Sequence, residues 1–148
     1  SGRAPEFSSP QIPLDGEGLS KSDSAAQPAI RMTAPDTKSS LEVAILGANS
    51  VAKNNDVAQG LIKSKRFSGV TVIDTGRITP TVTELMAFDS VIVYRNYNYR
   101  DNNKLGDHLA DYDDQGGGVV TMVFESKNRS SISGRWAVAV LFRETLLV

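Results

Sequence analysis

A chain of 148 residues with 40% apolar content holds material for one core and one domain of ordinary size. Its 16 basic and 17 acidic residues leave a formal charge of -1 with no dense Lys/Arg block, which argues against a nucleic-acid or anionic-membrane binder. Cysteine is absent, which excludes disulfides, thiolate metal sites and a cysteine nucleophile; no apolar run approaches the ~20 residues of a bilayer span and no basic-then-apolar leader opens the chain, so it is expected to be soluble, with its compartment open.

Residues 1–40 are rich in Ser, Pro, Ala, Gly and Asp, with Ile12, Leu14, Leu19 and Ile30 scattered singly. Such a segment buries too little to offset its ordering entropy and is predicted to be a flexible lead. Ser1 to Phe7 read as a cloning remnant and the rest of the lead as a linker, which makes 41–148 the folded domain and one module of a longer protein.

The character changes at Leu41. Leu41 to Gly47 is a nearly unbroken apolar run, the pattern of a central parallel strand covered on both faces. A polar loop from Ala48 to Asn55 follows, and Asp56 is placed to cap a helix carrying Val57, Leu61 and Ile62 and ending near Lys65 and Arg66. After the Ser68-Gly69 turn, Val70 to Asp74 is β-branched and reads as a strand. Thr79 or Thr81, beside Pro80, opens a short helix with Val82, Leu85 and Met86 on one face. Ser90 to Tyr94 is the next apolar strand. The loop from Arg95 to Asn103 leads into a helix with Leu105, Leu109 and Tyr112 at i, i+4 and i+7, and Gly116 to Gly118 stop it before a strand from Val119 to Phe124. Strands alternating with helices of this length pair in parallel through right-handed crossovers, which predicts an α/β fold: a three-layer α/β/α sandwich on a mainly parallel sheet. Beyond Glu125 the pattern weakens; Trp136 to Val148 is apolar and fits a last strand, a helix covering the sheet, or both.

Four stretches, Ser90-Val91-Ile92-Val93-Tyr94, Leu105-Gly106-Asp107-His108-Leu109-Ala110-Asp111-Tyr112, Gly116-Gly117-Gly118-Val119-Val120 and Gly134-Arg135-Trp136, together resemble the ThuA-like branch of the class I glutamine amidotransferase-like superfamily. The resemblance spans Leu41 to Trp136 and implies a flavodoxin-like fold; members usually continue for further strands. Enzymatic relatives carry a nucleophile on the turn after the strand matching Val119 to Phe124, in a Gly-x-Cys-x-Gly or Gly-x-Ser-x-Gly elbow. Here that turn reads Met122-Val123-Phe124-Glu125-Ser126-Lys127, with no cysteine and no glycine beside it, so no nucleophile is assigned and Ser126 reads as a solvated loop serine.

His108, the only histidine, falls beside Leu109 on the helix stripe and reads as a boundary residue and not as part of a Ser-His pair or a multi-histidine metal site. Asp111, Asp113 and Asp114 lack the glycine and distal Glu of a calcium loop and read as a solvated acidic helix end, although acidic groups there oppose the helix dipole. The loop after the first strand, with Asn49, lacks both Gly-x-Gly-x-x-Gly and the Walker ending, so no nucleotide cofactor is assigned, and no metal. In open α/β sheets ligands gather at the carboxyl ends of the strands, which selects the loops 48–55, 75–79, 95–101 and 125–133. The third concentrates Arg95, Asn96, Tyr97, Asn98, Tyr99 and Arg100, chemistry suited to a carbohydrate, another polar small molecule or a protein partner. The plainer reading is a polar loop whose tyrosines shield the end of the sheet. Asn128-Arg129-Ser130 is a glycosylation sequon, relevant if the protein is secreted.

The residues thus point to a non-catalytic binding or interaction module whose binding residues are Asn49, Arg95, Asn96, Tyr97, Arg100 and Glu125. Two alternatives stand beside it: a divergent hydrolase or sugar-related enzyme using Glu125 with a basic loop residue, and a structural self-assembly domain with Trp136 to Val148 as an exposed apolar patch.

Overall fold

Five strands form one sheet: β1 (Ala29–Thr33), β2 (Glu42–Ala48), β3 (Gly69–Ile73), β4 (Ser90–Arg95) and β5 (Gly118–Thr121), in the spatial order β1-β3-β2-β4-β5. The structure, a computed structural model, describes residues 27–122 and 132–136. β2 to β5 pair in parallel and β1 lies antiparallel on the outer side of β3. Helices α1 (Val51–Lys63), α2 (Val82–Leu85) and α3 (Asn102–Asp114) connect the parallel strands. The expected α/β class and mainly parallel sheet are what the chain adopts.

All seven residues of β2 are buried, as its unbroken apolar run requires of a central strand. Alternation sends Ala44, Leu46 and Ala48 to one side, where they join Val91, Val93, Leu85, Leu105, Leu109 and Tyr112 in the core under α2 and α3. Val43 and Ile45 face the other way, with Val70, Val72 and Tyr94 against Ala58, Leu61 and Ile62 of α1.

Two boundaries differ from the sequence-based expectation. The flexible lead assigned to 1–40 contains β1. Isolated apolar residues hid it, because its order comes from a ladder on β3 that Asp74 N–H to Pro28 O (2.8 Å) and Ala34 N–H to Ser68 O (3.0 Å) extend at the two ends. An ion pair adds to this: Arg31 reaches Glu42 at 2.7 Å over Gly69, where a Cβ would meet both charged groups. The second correction concerns α1, which starts at Val51 and not after Asp56. Ser50 caps it, accepting from Lys53 N–H at 3.3 Å, and Asn54 is a helical residue buried in its first turns. The polar loop expected over 48–55 thereby shrinks to Asn49 and Ser50.

Elsewhere the local chemistry matches the pattern. Thr81 and Glu84 form a reciprocal capping box on α2. Gly116 ends α3 with φ +99, and Gly117 lets the chain run across the Tyr112 ring. The acidic end of α3 is answered by Arg135, whose guanidinium bonds Asp114 at 2.9 Å and also Asp111, while its N–H donates to Asp107 at 2.8 Å. Gly106 and Gly134 (φ +63) leave room for this docking, since a Cβ at Gly106 would strike the Ser133 carbonyl. Trp136 is buried in the core beside α3 and does not open an exposed patch; residues 137–148 lie outside the described residues.

Two buried phenols make stability sensitive to alkali. Tyr112 is fully buried and donates to Phe88 O at 2.8 Å; burial, with Asp89 nearby, pushes its pKa up to about 12, and burial pushes that of Tyr94 up as well. Between pH 10 and 12 the unfolded chain has released these protons and the folded chain retains them, so stability, full below pH 10, should fall as pH rises. The expected slope is about 1.4 kcal/mol per pH unit for each tyrosine. Urea midpoints at pH 9 and 11 check this, and Tyr112→Phe should flatten the slope.

Candidate functional site

The parallel strands share one carboxyl end, and β3 and β4 depart to opposite sides of β2, so a crevice is expected where β2 and β4 diverge. The chain leaving β4 crosses that crevice. Asn96 and Tyr97 both donate their N–H groups to Ala48 O, at 2.8 and 2.9 Å, and Arg100 N–H donates to Thr75 O at 2.8 Å. The loop therefore runs from β4 over the end of β2 to the end of β3. Gly76 lies against it, with space for a Cβ only 3.4 Å from Asn98 O.

The two tyrosines of this loop part company. Tyr99 is buried in the core with Ala48 and Leu105, so it seals the end of the sheet, while Tyr97 is 51% exposed. Asn96, Asn98 and Arg100 are exposed beside Tyr97. Arg95, the last residue of β4, is half-buried, and its Nε is buried without a hydrogen-bond partner. Asn49 sits at the end of β2, its Oδ1 accepting from Ser50 N–H at 2.8 Å. Asn49, Arg95, Asn96 and Tyr97 are thus brought to one rim by the Ala48 carbonyl, and Arg100 stands further along it over β3. Glu125, Ser126 and Asn128 lie outside the described residues, which end on this side at Met122, whose N–H donates to Val93 O at 3.0 Å.

A buried clamp holds the rim from below. Asn54 Nδ2 donates to Gly47 O at 3.0 Å, and Tyr94 Oη donates to Asn54 Oδ1 at 2.7 Å, tying α1, β2 and β4 together one residue beneath the loop. Sequence reasoning missed this pair because Asn54 reads as a loop residue and Tyr94 as one more apolar strand position. Next to the clamp, a cavity of about 20 Å³ is lined by Pro28, Ile30, Val51, Asn54, Val72 and Asp74, room for one water.

His108 takes a structural place: its Nδ1 lies 2.7 Å from Pro80 O, a carbonyl, so that nitrogen carries the proton and the ring ties α3 to the start of α2. Among the described residues no group of three or more His, Asp or Glu side chains could hold a metal ion, and no helix is long and apolar enough to cross a membrane. No protein-family model, curated protein or solved structure matches the chain.

Proposed function

We propose that the chain is a flavodoxin-like three-layer sandwich of the ThuA-like kind that works as a non-catalytic interaction module, docking a protein partner on the rim formed by Asn49, Arg95, Asn96, Tyr97 and Arg100. Strand order supports the scaffold: without β1, the parallel strands run second, first, third, fourth, the beginning of the flavodoxin-like order. The phrases behind the resemblance also have structural work here, since Gly106, Asp107, Asp111 and Gly134 seat the segment that carries Arg135 and Trp136.

The observation that carries the functional reading is Tyr97, an aromatic ring half in solvent on a loop pinned by three backbone hydrogen bonds. A large amphipathic side chain held still loses little entropy on contact, which is the character of interface anchors, and a neighbouring arginine adds directed donors. Asn96, Tyr97 and Arg100 are exposed on this rim, which supports a protein surface over an enclosed small molecule.

Peptide and glycan arrays probed with the whole chain test this. A peptide ligand is expected whose signal drops roughly tenfold or more with Tyr97→Ala and with Arg95→Ala. Ligands bound equally well by both variants would remove the rim from consideration, and a glycan bound through the same residues would replace the protein partner with a carbohydrate.

A further inference from the structure

The geometry points to β1 as a releasable strap: it lifts from β3 as a unit while β2 to β5 stay folded, and its seating decides how firmly the rim is held at Arg100. This rests on the docking rim proposed above and adds a means of regulating it.

β1 is lightly packed. Of its five residues only Ala29 is buried and Met32 half-buried, whereas all five of β3 are buried. Ile30 is exposed, and it lines the one-water cavity together with Val51 of α1 and Val72 of β3, so the strand does not close fully on the helix. Lifting such a strand uncovers little apolar area, which is the character of a segment that opens locally. What seats β1 is its ladder on β3 and the pairing of Arg31 with Glu42.

That ion pair favours the seated position strongly. Arg31 Nε donates to Glu42 Oε1 at 3.2 Å and its Nη2 donates to Oε2 at 2.7 Å, past Gly69 of the intervening strand. The Glu42 side chain is 5% exposed, so β1 brings in the cation that a buried carboxylate needs. With β1 lifted, Gly69 has no side chain to cover Glu42, and water replaces the guanidinium. The strap is therefore tolerable in both positions, and Arg31 decides between them.

The strap is tied to the rim through Asp74. Pro28 O, just before β1, accepts from Asp74 N–H at 2.8 Å. Asp74 in turn builds the turn after β3: its carbonyl accepts from Arg77 and Ile78 N–H, both at 3.0 Å, and its Oδ1 accepts from Gly76 N–H at 3.0 Å. Thr75, inside that turn, supplies the carbonyl to which Arg100 N–H donates. Lifting β1 unpins the residue on which the turn is built, and the turn is what holds the far end of the rim.

Amide hydrogen exchange of the whole chain, followed by NMR without any ligand, tests the strap. In an antiparallel ladder alternate residues face the partner strand, and the bond from Asp74 to Pro28 sets the phase: Val70, Val72 and Asp74 direct their N–H groups to β1, Thr71 and Ile73 direct theirs to β2. The first three should exchange roughly tenfold or more faster than the other two, a comparison that needs no variant. Arg31→Gln strands the Glu42 carboxylate under the seated strap, so it should speed Val70, Val72, Asp74 and Arg100 by one common factor, roughly tenfold or more, and leave Gly116 at the distant turn unchanged. Adding Glu42→Gln to that variant removes the stranded charge and should slow the four again. Val70 and Val72 exchanging as slowly as Thr71 and Ile73, or indifference of Arg100 to Arg31→Gln, would each overturn the proposal. Uniform exchange along β3 beside a Tyr97-dependent peptide ligand removes the strap and keeps the docking rim; alternating exchange with no such peptide does the reverse.

Discussion

Replacing Tyr112 by alanine is expected to cost about 4 kcal/mol of folding stability, read as a lower urea midpoint at unchanged slope. The ring is fully buried against α3 and the core, and its hydroxyl donates to Phe88 O from within that core. Truncation leaves a large cavity, and Gly117, which packs against the ring, loses its support at the entry to β5. Tyr112→Phe separates the two contributions. It keeps the volume and removes one hydrogen bond, leaving the Phe88 carbonyl buried and unpaired, for an expected loss of about 1 to 3 kcal/mol. A phenylalanine variant as unstable as the alanine one would mean that the ring is not packed as described.

Gly47→Ala should be comparably harmful for the opposite reason, overfilling. A single Cβ at Gly47 would come within 2.9 Å of both Asn54 Cγ and Tyr94 Cε1, inside the clamp that supports the rim. Neither neighbour can yield without breaking the bonds from Asn54 to Gly47 O and from Tyr94 to Asn54, so a loss of about 3 kcal/mol is expected. Amide exchange at Asn96 and Tyr97 should speed up as well, because both N–H groups hang from the next residue, Ala48. The same substitution at Gly60, on the exposed side of α1 with nothing within 4 Å, should instead stabilise by about 0.5 to 1 kcal/mol. Equal effects at the two positions would contradict the clamp.

The legibility of this chain followed burial. Val43 to Leu46, Val70 to Ile73 and Val91 to Tyr94 announce themselves because central parallel strands must be apolar on both faces, and Leu105, Leu109 and Tyr112 mark the buried stripe of α3. Elements ordered by hydrogen bonds to a neighbour were harder to see. β1 owes its order to β3, and the first turns of α1 carry Asn54 and Asn55, which look like a loop until Asn54 is found bonded to Gly47 and Tyr94. The acidic end of α3 looked unfavourable because its partner, Arg135, is remote in sequence.

At the site, composition singled out the loop 95–101 but could not distinguish its two tyrosines. Tyr97 and Tyr99 have the same side chain two positions apart, and only the path of the loop over Ala48 and Thr75 sends one into the core and leaves the other in solvent.

Backbone amide shift mapping with the strongest array ligand tests the central claim most directly. The account predicts that perturbations gather at Asn49, at Asn96 to Arg100 and at the amides bonded to Ala48 and Thr75. Perturbations confined to the exposed edge at β5 or to the outer side of α1, with the rim unmoved, would contradict it.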